Sequence, residues 1–159
     1  MKFCYTILLI CLLCAPAYAE DAACQQLKEQ GSVTNLKTMR EISEFVVDGE
    51  HSANTIWNKH AIDDHPVYSV IVNNYSDGDQ INFATAAPNR GNKEGSNYAY
   101  LRIWFTNQSP MELKNTVFKD WKYAGSLGRT SMLKTNSLTV YLVPQTSGTI
   151  IVKTEMGGS

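Results

Sequence analysis

The residues best suited to chemistry lie in one short run, Tyr98-Ala-Tyr-Leu-Arg-Ile-Trp-Phe105. Successive side chains of a strand point to opposite faces. Tyr98, Tyr100, Arg102 and Trp104 therefore share one side, and Ala99, Leu101, Ile103 and Phe105 share the other. The odd set reads as an ordinary core stripe. The even set places a guanidinium among three aromatic rings. Such a row can stack on sugar rings, aromatic side chains or lipid headgroups while Arg102 bonds a carboxylate or phosphate. The expectation is an outward-facing recognition row that Trp121 and Tyr123 could extend. Aromatic packing beneath a second layer is the plainer alternative.

A second cluster, His60-Ala-Ile-Asp-Asp-His65, has metal-like residue types, with His51 close by in sequence. On a helix, His60 and Asp64 stand four apart and offer nitrogen and oxygen ligands to zinc or copper, with His65 or His51 completing the set. Pro66 forces the residue before it into extended backbone, which argues instead for a polar connector with Asp63 and Asp64 solvated. Catalysis finds little footing. No serine sits in a Gly-x-Ser-x-Gly elbow, Gly91–Gly95 lacks the frame of a phosphate loop, and no two carboxylates stand out as an acid–base pair. A non-enzymatic protein with no cofactor is expected.

The first 19 residues give an address. Lys2, the apolar block Ile7–Cys14 and Ala17-Tyr18-Ala19 have the layout of a secretory signal, too short for a membrane span. The mature domain would run over 20–159, exported to a periplasm or beyond, with a bacterial envelope the expected setting. There the sequons Asn74-Tyr-Ser76 and Asn107-Gln-Ser109 would carry no glycan. Without Lys2, 13 basic residues face 15 acidic ones, and no basic run argues for nucleic acid or anionic lipid. Cys4, Cys11 and Cys14 leave with the signal, so Cys24 is alone and no internal disulfide can form. It is expected in a loose N-terminus, with pairing between chains or lipidation as alternatives.

A single domain of this size buries about 68–70% of its unfolded surface and can fold on its core alone. Residues 21–47 are the main helical segment: Asp21 caps, Gly31 interrupts, Thr34 caps again, and Leu36, Met39, Ser43 and Val46 form one face. A short helix is expected within 52–62. From Val67 on, β-branched runs alternate with turns: 67–72 and 80–85 pair across Asp77-Gly78, a ten-residue polar loop (88–97) leads to 98–105, and 137–143 pairs with 149–154. Residues 115–123 read as strand or helix, Gly125–Gly128 as a turn. The fold class is α+β, mainly antiparallel β (sandwich or curved sheet) with an N-terminal helical segment, and without an internal repeat. Together these features point to an exported binding protein with a protein partner, of the inhibitor or immunity type. A cell-surface effector for carbohydrate or lipid headgroups, or a periplasmic metal binder, are the alternatives.

Overall fold

A computed structural model describes residues 21–76, 78–89 and 96–158. The leader-like residues 1–19, Asp77 and most of the ten-residue polar loop lie outside these residues. The chain forms α1 (Ala22–Glu29), α2 (Thr34–Val46), β1 (His51–Ile56), β2 (Val67–Asn73), β3 (Gln80–Pro88), β4 (Ser96–Thr106), α3 (Pro110–Asn115), β5 (Lys122–Leu127), β6 (Thr130–Lys134), β7 (Leu138–Gln145) and β8 (Gly148–Gly158). The strands make one eight-stranded antiparallel sheet in the order β1-β2-β3-β4-β8-β7-β6-β5. The class is α+β, as the sequence leads one to expect. The order is also two of the same thing, a helical lead followed by a four-strand meander, joined through β4 and β8. The likeness is one of strand order, since two helices lead the first meander and the six-residue α3 leads the second, and the sequence shows no internal repeat.

Helix α1 starts where Asp21 accepts hydrogen bonds from the N–H groups of Ala23 and Cys24, at 3.1 Å each, and it gives way at Gly31 (φ 74°). Helix α2 corrects the expectation at Thr34, which is its first helical residue rather than its cap. The orphan N–H groups of that end are met from elsewhere. Asp63 accepts from the Ser32 hydroxyl (2.7 Å), Val33 N–H (2.8 Å) and Asn35 N–H (3.2 Å). Burial pushes the Asp63 carboxyl up, but these donors outweigh it and hold it below its usual value. Buried Asn35 returns the favour by donating to the carbonyls of Ile62 and His65. The β1–β2 connector is thus a remote cap for α2, and Asp63 is not the solvated residue the sequence suggests.

The segment 52–62 is not helical; residues 52–56 belong to strand β1, and turns follow. Thr55 and Ile56 are β-branched, and β1 pairs with β2 from His51↔Asn73 to Ile56↔Tyr68. Its outer edge is closed by the Gln26 side chain of α1. That amide donates to the Ala53 carbonyl (2.9 Å) and accepts from Thr55 N–H (2.8 Å), covering an edge that would otherwise invite another strand. The expected pairing of 67–72 with 80–85 holds, but the closing pair is Asn73↔Gln80. Six residues, rather than two, separate the closing pair, and Gly78 N–H donates to the Tyr75 carbonyl. Residues 115–123 are divided between the end of α3, a run of turns and the start of β5. Gly125–Leu127 belongs to β5, and the tight turn follows at Gly128 (φ 58°).

Both hydrophobic clusters sit on the same face of the sheet. Under α1 and α2, Leu27, Met39, Ile42 and Val46 pack on Val67, Ile71, Ala84, Ala86 and Tyr100. Under α3 and the turns after it, Leu113 and Phe118 pack on Leu133, Val140, Leu142 and Ile151. Helix α3 is set by a capping box: the Ser109 hydroxyl accepts from Glu112 N–H, the Glu112 carboxylate accepts from Ser109 N–H, and Pro110 occupies the first turn. At the last hairpin, a Cβ on Gly148 would run into the Thr106 carbonyl oxygen, so only glycine fits there.

Candidate functional site: the open face of the sheet

Tyr98, Tyr100, Arg102 and Trp104 do share one face, but it is the one the helices cover, and the expectation of an outward row is corrected. Tyr100 is 4% exposed and its hydroxyl donates to Glu155. Burial first, then this bond and the Glu155 charge, raise its pKa. Tyr98 packs against the first cluster and Trp104 against the second. Between them Arg102 donates to the Phe45 carbonyl at the end of α2, while its Nε is buried without a partner. Lys153 lies opposite Arg102 on β8. Burial, and then the Arg102 charge, hold its pKa below the usual lysine value. The row is a seam between two cores. Trp121 stacks edge-on against Phe118 (5.2 Å between ring centres) within the second cluster. Tyr123 alone of the six is well exposed, with the Lys114 ammonium 5.2 Å from its ring centre and its hydroxyl 2.6 Å from that of Ser126.

The physical reason is size. Strand β4 is apolar on both faces, so alternation cannot say which one is covered. The neighbouring strands decide it: Ser69, Ala84 and Ala86 are small and let α2 come close, whereas Tyr68, Phe83 and Thr85 on the other side would hold it off.

The metal-like residues are not brought together, and no group of three or more potential ligands occurs among the described residues. His51 lies at the start of α1, its Nε2 accepting from Ala22 N–H (3.4 Å) and 3.7 Å from Asp21. His60, Asp64 and His65 are exposed in the connector. Their placement follows from the capping duty of Asp63, which fixes this loop against α2. Cys24 is likewise not in a loose terminus. It is 1% exposed inside α1, with Sγ 3.8 Å from the Ser43 hydroxyl. Burial and the neighbouring Asp21 push its pKa up to about 12, so it is neither nucleophilic nor placed to pair between chains.

The opposite face carries no helix. One row crosses six strands as Val72, Ile81, Ile103, Val152, Tyr141 and Met132. Beside it lie Phe83 (41% exposed) and Leu101 (39%), and towards one end Phe105 (49%). From β1 through β7 this face has no Asp, Glu, Lys or Arg. Lys122 and Lys134, paired at the β5–β6 end, are the first charges met. An antiparallel sheet with one face in water normally alternates apolar inside with polar outside. Here the open side too is largely apolar, with Ile81, Phe83, Leu101 and Phe105 all exposed to water, and a contiguous apolar surface of this kind marks an interaction site. The signal in the sequence was the odd set 99–105, read as core. Its companions Ile81 and Phe83 were legible in the same way.

No protein family, curated protein or solved structure matches the chain. Among the described residues no helix is long and apolar enough to cross a membrane.

Proposed function

We propose that the mature chain is an exported, non-enzymatic binding protein whose open sheet face engages another protein. The observation that carries this is the apolar row running across six strands, β2 to β4 and β8 to β6, on a face whose described strands carry no charge before Lys134. Depletion of charge and enrichment in aromatic residues mark the buried centre of protein interfaces. A carbohydrate site would want several donors and acceptors around its rings, and a headgroup site would want cations. This face offers scattered hydroxyls (Tyr68, Thr85, Thr139, Tyr141 and Thr154) among aliphatic and aromatic side chains and, towards its centre, no charge. Export rests on the leader-like residues 1–19.

The test places a photo-cross-linking amino acid at Leu101 in the full chain, expressed in its own cells. Protein adducts are expected, and they should disappear when Phe83→Glu is added. Adducts confined to lipid or glycan, or none at all, would defeat the proposal.

A further inference from the structure

We infer that the protein seated on the open face is a second copy of this chain, stacked face to face about a twofold axis that runs along the strands between β4 and β8. The inference rests on the reading of the open face as a protein-binding surface, and it adds three observations. The first is area. Eight strands about 4.8 Å apart, overlapping over about six residues of about 3.4 Å each, present roughly 700–800 Å². A stable, standard-size interface buries about 800 Å² per partner.

The second is self-complementarity. Rotation about that axis lays β8 over β4, β7 over β3 and β6 over β2, because the strand order places four strands on either side of the β4–β8 junction. Ile103 of one copy then faces Val152 of the other, Ile81 faces Tyr141, and Val72 faces Met132. The contacts of this row are apolar on apolar, as in the interior of a two-sheet sandwich, and in the next row Leu101 faces Thr154 and Phe83 faces Thr139. The centre of the face, without charges, also carries no address for a differently charged partner and nothing that repels its own copy; Lys122 and Lys134 lie at the β5–β6 end.

The third is the charge of the halves. Residues 20–107 hold 12 acidic and 7 basic side chains, and residues 108–159 hold 3 acidic and 6 basic. An axis along the strands sets the acidic half of each copy against the basic half of the other. An axis across the strands would set like against like and lay β5 and β6, with Lys122 and Lys134, over their own counterparts. Electrostatics therefore selects the first arrangement.

Sedimentation equilibrium on the mature chain tests this. Twice the chain mass is expected at low salt, with the dissociation constant rising about tenfold or more at high salt. Phe83→Glu combined with Leu101→Glu should give a monomer with unchanged far-ultraviolet circular dichroism. A second measurement needs no destabilising change: the Leu101 photo-cross-linker on purified protein should yield a covalent dimer. A dimer that survives in the folded double variant would overturn the inference, since another surface would be holding it. A monomer at about 100 µM with no covalent dimer would overturn it too. In that case, Leu101 adducts to a different protein in cells would leave the proposed function standing, and their absence would remove both.

Discussion

The two faces of the sheet are built from the same strands, yet they solve opposite problems. The covered face carries small residues where helices approach, and most of its polar groups are paired. Buried Asn73 donates to the Val46 carbonyl at 2.7 Å, and the Thr55 and Ser69 hydroxyls lie 3.0 Å apart. The open face carries larger aliphatic and aromatic side chains, with few polar atoms towards its centre. The difference teaches that hydrophobicity alone does not choose the core in a sheet that is apolar on both sides. The side that can be approached closely, and whose polar groups can be paired within the chain, becomes the interior. The side that cannot be covered by its own chain is left for another.

That contrast can be broken at several points. Met39→Ala removes a fully buried side chain from the covered side and should cost about 2–5 kcal/mol in chemical denaturation. If the loss were under 0.5 kcal/mol, α2 would not be seated as described. Asp63→Ala removes the remote cap of α2 and should cost about 1–2 kcal/mol at neutral pH. Because folding lowers the pKa of Asp63, its contribution is present above the ordinary carboxylate value. It fades as pH falls through the folded value, so wild type and variant should converge in acid. Parallel denaturation curves at both pH values would contradict this. Gln26→Ala should cost about 1 kcal/mol by freeing two backbone groups of β1, and hydrogen exchange at Thr55 N–H should accelerate. Smallest of all, Phe83→Ser should change the stability of the monomer by about 0.5 kcal/mol or less, as for other surface substitutions. A larger loss in dilute, monomeric protein would mean that the open face is part of the intramolecular core. Cys24 sharpens the same comparison chemically. It should resist a thiol-specific reagent at pH 8 and react once the chain is unfolded.

Much of the sheet was legible in the sequence because its central strands are β-branched and bounded by turn residues. Val67–Val72 and Ser137–Val143 are cases that need no tertiary help. Strand β1 was not, since His-Ser-Ala-Asn-Thr-Ile owes its extended form to pairing with β2 and to the Gln26 amide, twenty-odd residues away in the chain. Helix α3 carried a local signal, Ser109-Pro-Met-Glu112, but six residues are too few for a helical period to emerge. Asp63 had no signal at all, because a cap supplied from thirty residues away leaves no local trace. The site was half legible. Alternation sorted 98–105 into two faces correctly, and what it could not supply was the size of the residues on β2 and β3 that decides which of the two is covered.

Strand β8, the last to be made, lies in the middle of the sheet between β4 and β7. Without it, β1–β4 and β5–β7 share no strand pairing, so the single layer exists only once β8 is inserted between β4 and β7. The keystone of the sheet is thus the strand furthest along the chain, and weakening its pairing would part the two halves.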